Sequence, residues 1–274
     1  MTTYGHEVTL DVVPIKSKNW TWDIIVNWSQ IKNNVDALAP GINNVFLGGF
    51  EGSEIDAFAG QPYRTIYGYD WVRDSQGNMV IGDDGYPIMK DNMTALGNVD
   101  PKWTAGVGTN LRWKDLSLYL LFDIKYGGQM WNGTRGALDY FGTSQGTASR
   151  DEWYTFAGVN TLGQVNTKQV KLDYYWRTQN VGSGFTGPMV DYVENSGWVR
   201  LRTVSLSYNF TKLLKKTFIK GLSVYFTGTN LWVLTKYQGI DPETNLLGAS
   251  NAQGIDYFNM PGTKSYTVGL NLAF

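Results

Sequence analysis

The stretch 116–126 has the sequence Leu-Ser-Leu-Tyr-Leu-Leu-Phe-Asp-Ile-Lys-Tyr, with an apolar or aromatic side chain at every even position. Side chains in a β-strand alternate between two faces, so these even-numbered residues share one face. At about 3.3 Å per residue the stretch extends over roughly 35 Å, whereas soluble strands are commonly five or six residues long. The pattern therefore predicts an unusually long amphipathic strand.

The same alternation recurs in the stretches 20–29, 105–113, 203–210, 222–229 and 266–274. In a soluble sheet the apolar face packs on a core, whereas in a membrane barrel it meets lipid and the polar face lines a lumen. Periodicity alone does not separate these cases. Aromatic residues near the strand ends, such as Trp20, Trp113 and Trp198, are typical of the interfacial girdles of membrane barrels. Cross-strand packing pairs in a soluble sheet explain them as well.

Composition excludes several classes of function. The 274 residues include 40 aromatic residues and 32 glycines but no cysteine, and His6 is the only histidine. A thiolate metal site, a disulfide framework and a histidine-based catalytic triad are therefore not expected, nor is any cofactor. The 23 basic and 24 acidic residues offer no electrostatic footprint for nucleic acid. No apolar window is long enough for a membrane-spanning helix.

The spacing of the alternating stretches predicts nine strands. Their connections alternate short and long, with long ones at 73–101, 129–196 and 236–262, and short ones at 17–19, Asp115 and 211–219. Soluble β-domains rarely contain such long connections, whereas outer-membrane barrels combine short turns at one end with long extracellular loops at the other. We therefore expect an all-β, antiparallel, up-and-down transmembrane barrel. The predicted strands lie near 5–16, 20–33, 43–52, 60–72, 102–114, 116–128, 197–210, 220–235 and 263–274.

Nine strands do not complete a barrel, because single-chain bacterial barrels use an even number and an open sheet leaves two unpaired edges. The first residues also lack the basic and apolar regions of a secretory leader. We therefore expect residues 1–274 to form one unit, the C-terminal portion of a larger barrel.

Several stretches, in order along nearly the whole chain, resemble the C-terminal region of the SusC/RagA family of TonB-dependent outer-membrane transporters. Each stretch alone is weakly specific, but six in the same order form a specific pattern. They are Gly5–Leu10 with Trp20–Asp23 and 31–35, Gly60–Tyr63 with Tyr67–Asp70, Leu96–Trp103, Val199–Tyr208, Gly228–Leu231 with Lys236–Glu243, and the closing strand to Phe274.

The resemblance implies a multi-pass protein of the Gram-negative outer membrane, in contact with its lipid. It implies import of oligosaccharides or peptides without catalysis, and a SusD-like surface lipoprotein as partner. It also implies coupling to the TonB complex through an N-terminal region, and a plug domain and earlier strands, none of which this chain contains. Trp198 stands where the family most often has tyrosine, and the stretch Asn98–Asp100 lacks the usual proline.

Loop 129–196 is the predicted contact region for substrate or partner, because it combines aromatic rings with hydrogen-bonding side chains. Packing of these aromatic residues within the loop is the alternative. The candidate contact residues are Trp131, Asn132, Tyr140, Phe141, Trp153, Tyr154 and Arg177.

Two features of the strands give further expectations. The resemblance implies that the outward residues of the last strand, Tyr266, Val268, Leu270, Leu272 and Phe274, form a signal for barrel assembly, while simple anchoring of Phe274 at the interface is the alternative. Arg200 and Arg202 share the apparent apolar face with Val204. We expect them to lie above the bilayer, at the top of their strand, rather than at a bulge.

Two other classes of function fit less well. A soluble all-β carbohydrate-binding module, with its site in the long loops, is the leading alternative. A hydrolase is disfavoured, because the adjacent pair Asp151-Glu152 lies on a loop and does not provide two carboxyl groups held apart in a rigid cleft.

Overall fold

The computed structural model describes residues 1–176, 188–214 and 218–274. These contain eighteen strands and the helix α1, Gly133–Phe141, besides short helical turns at Gln145–Thr147, Leu172–Tyr174, Val190–Tyr192 and Thr211–Leu214. The strands are β1 Thr2–Lys16, β2 Trp20–Asn34, β3 Asn44–Phe50, β4 Ser53–Phe58, β5 Thr65–Gly68, β6 Val80–Ile81, β7 Thr94–Asn98, β8 Trp103–Trp113, β9 Leu116–Tyr126, β10 Gln129–Asn132, β11 Trp153–Tyr154, β12 Val159–Asn160, β13 Val170–Lys171, β14 Val193–Asn195, β15 Trp198–Asn209, β16 Gly221–Thr235, β17 Ile255–Asp256 and β18 Ser265–Ala273.

The long strands form one antiparallel sheet in the order β1-β2-β8-β9-β15-β16-β18, which we call the wall sheet. Each long strand pairs with the next long strand along the chain, so the sheet is an up-and-down meander. Strands β1 and β18 form its two edges within the described part of the chain. The all-β, antiparallel prediction is confirmed.

The register of the wall sheet places its apolar side chains on one face. Leu118 lies opposite Leu206, which lies opposite Phe226, which in turn lies opposite Val268. Val268 is 74% exposed and Leu270 is 61% exposed. No apolar side chain in the described residues of these strands is buried. The apolar face therefore lacks the covering layer that a soluble sheet requires.

Aromatic pairs lie at both ends of this apolar face. Trp20 stacks on Trp113 at the end with the short turns, with ring centroids 5.7 Å apart. Trp103 stacks on Tyr126 at the opposite end, at 5.1 Å. Ten residues separate Trp103 from Trp113 along β8, which is about 33 Å of strand. At the 35–45° tilt of membrane barrels this length projects to roughly 25 Å, the height of their apolar band.

All three long connections leave the same end of the wall sheet. They span 35–102, 127–197 and 236–264, whereas 17–19, 114–115 and 210–220 connect strands at the other end. The predicted separation of long and short connections is therefore confirmed. We call the long connections the outer loops.

The predicted count of nine wall strands is wrong, because seven strands form this sheet in the described residues. The segments predicted at 43–52 and 60–72 belong instead to the first outer loop, in a separate sheet with the order β3-β4-β5-β7. Ile55 and Ile66 are fully buried in that sheet. These short strands pair locally and contribute to a loop core, so β-forming sequence alone does not identify their partners.

The main hydrophobic core lies in the outer loops rather than in the wall sheet. It brings together residues from all three connections, namely Ile55, Ile66, Trp71, Val99, Trp131, Met189, Tyr192 and Ile255. Strand β10 links the loops further, because it pairs with β14 and also, in parallel, with β17. The outer loops therefore form one packed body. None of the described helices has both the length and the hydropathy needed to cross a membrane.

Candidate functional site

A polar cleft lies between the wall sheet and the outer loops. It consists of two cavities of about 560 and 320 Å³ that share Lys125, Trp198 and Glu243 in their linings. Its floor is the polar face of the sheet near the outer loops. Two cross-strand rows form this floor, Glu7-Ser29-Thr104-Lys125-Trp198 and Thr9-Asn27-Gly106-Asp123-Arg200.

A bulge in β15 brings both arginines onto the polar face of the sheet, where Arg202 lines the cleft. The pairing register shifts between Leu201 and Thr203 against both neighbouring strands, so Arg200 lies opposite Asp123 on the polar face. Arg200 is only 5% exposed. The expectation that Arg200 and Arg202 lie above the bilayer is therefore corrected: an extra residue reverses the alternation, as bulges do.

The two arginines form a network of ion pairs. Arg200 Nη2 lies 2.6 Å from Asp241 Oδ1, and Arg202 Nε lies 2.6 Å from Asp123 Oδ2. Glu243 is shared, because its Oε1 lies 2.6 Å from Arg202 Nη2 and its Oε2 lies 3.1 Å from Arg200 Nε. These pairs neutralise the charges of the partly desolvated groups at the top of the wall sheet.

Asn230 completes the network from β16. Its φ of +54° belongs to the left-handed region, which asparagine tolerates better than most residues. Its side-chain oxygen accepts a hydrogen bond from Arg202 Nη1 at 2.9 Å, and its amide donates to the carbonyl of Thr263 at 3.1 Å. The stretch Gly228–Leu231, which carries part of the resemblance, therefore lies on β16 opposite the bulge of β15.

Asp241 fixes the base of the last outer loop. Besides Arg200 it accepts hydrogen bonds from the backbone N–H groups of Glu243, at 3.0 Å, and Gly262, at 3.3 Å. Further along the loop, Asp256 accepts hydrogen bonds from Tyr237 Oη at 2.6 Å and Thr134 Oγ1 at 2.9 Å. Burial, together with the neighbouring Asp256, raises the pKa of Tyr237 above its usual range.

Two predicted contact residues serve the loop core instead. Trp131 is 0% exposed and packs against Phe50 and Tyr257. Asn132 is buried at the N-terminus of α1, where its side-chain oxygen accepts from the backbone N–H of Arg135 at 3.0 Å. Both are therefore corrected: as placed here, they cannot touch a ligand outside the loops. Their identities suit a core aromatic and a helix cap.

Four other predicted contact residues lie at the outer surface, away from the cleft. Phe141 is 70% exposed and packs edge-on against Tyr140, which is half-buried. Trp153 and Tyr154 are exposed, with the ammonium of Lys171 4.8 Å from the Trp153 ring centroid. Arg177 lies outside the described residues. The predicted set therefore does not converge on one site.

The cleft residues Arg64, Lys125, Trp198 and Glu243 were missed as candidates. They come from four distant segments, and no local pattern connects them. The sequence feature that could have indicated them is the row of polar residues along each strand, because the polar face of a long amphipathic strand must meet water or a polar lumen.

The residues of the predicted assembly signal share one face of the edge strand β18. Leu270 and Leu272 pair with Val224 and Leu222 of β16. Phe274 is exposed and stacks on Phe218, with ring centroids 6.0 Å apart.

Comparisons with known proteins identify the class. No family model matches the chain. TonB-dependent receptor P3 of Formosa agariphila is 26% identical over 302 residues, which cover 98% of this chain and 28% of the relative. TonB-dependent receptor SusC of Bacteroides thetaiotaomicron is 24% identical, covering 100% of this chain and 26% of SusC.

The fold also matches solved structures. A chain of the RagAB peptide transporter superposes with a TM-score of 0.66 at 21% identity, covering 99% of this chain and 29% of that chain. Both relatives are TonB-dependent receptors, and their alignments cover 98% and 100% of this chain. The chain is thus similar to members of this class over nearly its whole length, which supports its resemblance to the C-terminal region of the SusC/RagA family. It spans less than a third of the length of these relatives.

Proposed function

We propose that the intact protein imports a nutrient across the Gram-negative outer membrane, and that residues 1–274 supply the C-terminal part of its barrel wall and outer loops. The observation that carries this proposal is the wall sheet. Its apolar face has no covering layer in the described residues, while its opposite face carries charged side chains that line the polar cleft. That is the arrangement expected when one face meets lipid and the other a lumen.

We propose that the rest of the protein supplies the strands that close the barrel and, as the resemblance implies, a plug domain. The two open edges of the wall sheet in the described residues support the need for further strands. Unpaired strand edges cannot face hydrocarbon, because no water is present there to satisfy their N–H and C=O groups. Strands β1 and β18 therefore require partner strands in a membrane.

We propose an oligosaccharide or a peptide as substrate. RagAB, whose fold this chain resembles, is a peptide transporter. The polar cleft is within the size range of small-molecule sites, and exposed aromatic rings of the outer loops suit sugars and peptides alike. A SusD-like surface lipoprotein is the proposed partner at the outer loops, with Tyr140, Phe141, Trp153, Tyr154 and Arg177 as candidate contacts. TonB coupling would act through the remainder of the protein.

A binding role, without catalysis, suits the chemistry of the cleft. Asp123, Asp241 and Glu243 are each paired with an arginine, an arrangement that holds the side chains in place. The soluble carbohydrate-binding alternative needs a second layer over the apolar face, which the described residues do not provide.

Import is tested with the intact protein in the outer membrane of its host. We expect labelled oligosaccharides or peptides to accumulate in cells carrying the receptor and to stop accumulating after addition of a protonophore. Accumulation of every tested substrate at the same rate without the receptor, or with the protonophore present, would contradict active import.

A further inference from the structure

Lys125 and Trp198 occupy adjacent positions where the two cavities of the polar cleft meet. They are directly opposed across β9 and β15, so their side chains are neighbours on the polar face. Both also line each of the two cavities. Any ligand that passes from the outer loops to the wall sheet through this cleft therefore meets this pair.

In the part of the chain that the structure describes, the ammonium group of Lys125 forms no ion pair with a carboxylate. Within the described ranges it makes one side-chain hydrogen bond, to Ser196 Oγ at 3.1 Å, and no ion pair. An ammonium group has three donors, so most of its capacity is unused. The indole N–H of Trp198 is buried and has no hydrogen-bond partner there either.

The carboxylates near Lys125 are already committed to other cations. Asp100 is held by Arg64, whose guanidinium pairs with its Oδ1, and by Asn33. Asp123 and Glu243 are held by Arg202. Glu7 lies in the same cross-strand row, but three strand spacings away, which is about 14 Å. Where the two cavities meet, Lys125 and Trp198 thus present donors that no carboxylate among the described residues takes up.

We propose that Lys125 and Trp198 bind a carboxylate group of the imported ligand. An ionised carboxylate accepts several hydrogen bonds at once, so it can take both the ammonium and the indole donors. The carboxylate belongs either to a peptide or to an acidic sugar such as a uronate. This proposal rests on the proposed import function and adds the chemistry of the substrate.

Binding to the purified intact protein in detergent tests the proposal. One pair of probes is N-acetyl-tetra-alanine and its C-terminal amide, and the other is tri-galacturonate and its methyl ester. We expect at least one acid to bind roughly ten- to hundredfold more tightly than its neutral counterpart, as for hydrogen bonds to a charged group. The pair that shows the difference identifies the source of the carboxylate.

Substitutions then assign the difference to these residues. Lys125→Met should remove the preference for the acid over its neutral counterpart. Trp198→Phe keeps a ring but removes the donor, and should reduce the preference by roughly two- to tenfold. Lys16→Met, on β1 at the far end of the wall sheet, is the matched control and should bind like the parent. Heat-modifiable migration in gels verifies folding of each variant.

Three results would overturn the proposal: equal binding of acid and neutral probes by the parent protein, an undiminished preference in folded Lys125→Met, or import restricted to neutral substrates. The parent comparison needs no variant, so it remains decisive if a substitution prevents folding. Failure of import itself is distinguishable, because binding is measured without an energised membrane. Conversely, import restricted to neutral substrates would support the proposed transport function but contradict the proposed carboxylate site.

Discussion

A single arginine placed on either face of β9 distinguishes a membrane wall from a soluble sheet. Leu120 and Leu121 are consecutive residues of the same type near the centre of this strand, and their side chains point to opposite faces. Leu120 lies opposite Val204 on the apolar face, and Leu121 lies opposite Thr203 on the polar face. Leu120→Arg therefore places a charge in the proposed lipid layer, and Leu121→Arg places the same charge at the same height in the lumen.

The expected magnitudes follow from the depth of each residue. Two residues along a tilted strand correspond to about 5 Å of depth, so Leu120 lies within a few Å of the midplane and Leu116 lies at the edge of the apolar band. Arginine on the lipid face costs about 2–4 kcal/mol at the midplane and about 0–1 kcal/mol near the interface. We expect Leu120→Arg to cost about 2–4 kcal/mol, and Leu116→Arg and Leu121→Arg each to cost about 1 kcal/mol or less.

Urea titration of the intact protein refolded into phosphatidylcholine vesicles measures these free energies, with tryptophan fluorescence and heat-modifiable migration as independent probes. Equal costs for Leu120→Arg and Leu121→Arg would refute the assignment of the two faces. A cost at Leu116 as large as that at Leu120 would refute the depth profile, and with it the placement of the bilayer.

Three further predictions concern other parts of the chain. Removing Phe274 should lower the abundance of the protein in the outer membrane far more than it lowers the unfolding temperature of the assembled protein, because an assembly signal acts before folding is complete. Equal abundance of the deletion variant and the parent in membrane fractions would leave Phe274 only an anchoring role. Arg200→Met should lower the stability of the last outer loop by about 3–5 kcal/mol, because it leaves the buried Asp241 without its ion-pair partner. Faster proteolysis within 241–262 measures this loss, and unchanged cleavage would contradict a stabilising role of the Arg200–Asp241 ion pair. Asp56 is fully buried beside Asn44, and burial raises its pKa above the ordinary 3.8. Its stabilising contribution is therefore present below pH 3.8 and lost as the pH rises through the raised value. The protection factors of the β4 amides against hydrogen exchange, which correct for the intrinsic rise of exchange with pH, should fall over that range in the parent protein but not in Asp56→Asn.

The wall strands could be predicted because their signal is local. A period of two, sustained over ten or more residues, specifies both the strand and its two faces without any knowledge of its neighbours. Each of the seven wall strands was predicted to within two or three residues at either end. The error in strand count did not disturb the predicted ends of the loops, because the two misassigned segments are consecutive in the chain. Removing a pair of strands leaves the alternation of up and down unchanged.

The candidate site was less accessible to sequence reasoning. Aromatic content identified loop 129–196 as important but could not distinguish Trp131, which is buried, from Trp153, which is exposed. The bulge at Arg202 depends on how β15 pairs with both of its neighbours, so a single-strand pattern assigned Arg200 to the wrong face. Burial within loops and pairing register are tertiary properties, and no local period encodes them.

The placement of the core has a consequence for binding. In the described residues the buried apolar side chains belong to the outer loops, and three loops share one core. A loop that is ordered only on binding must offset the loss of conformational entropy at that step, at about 1–2 kcal/mol per backbone residue. Loops that are already packed together, and clasped to the wall sheet by Arg200 and Asp241, have lost that entropy during folding. The polar cleft beneath them is therefore preformed, and a ligand that matches its unused donors binds without the cost of ordering the loops.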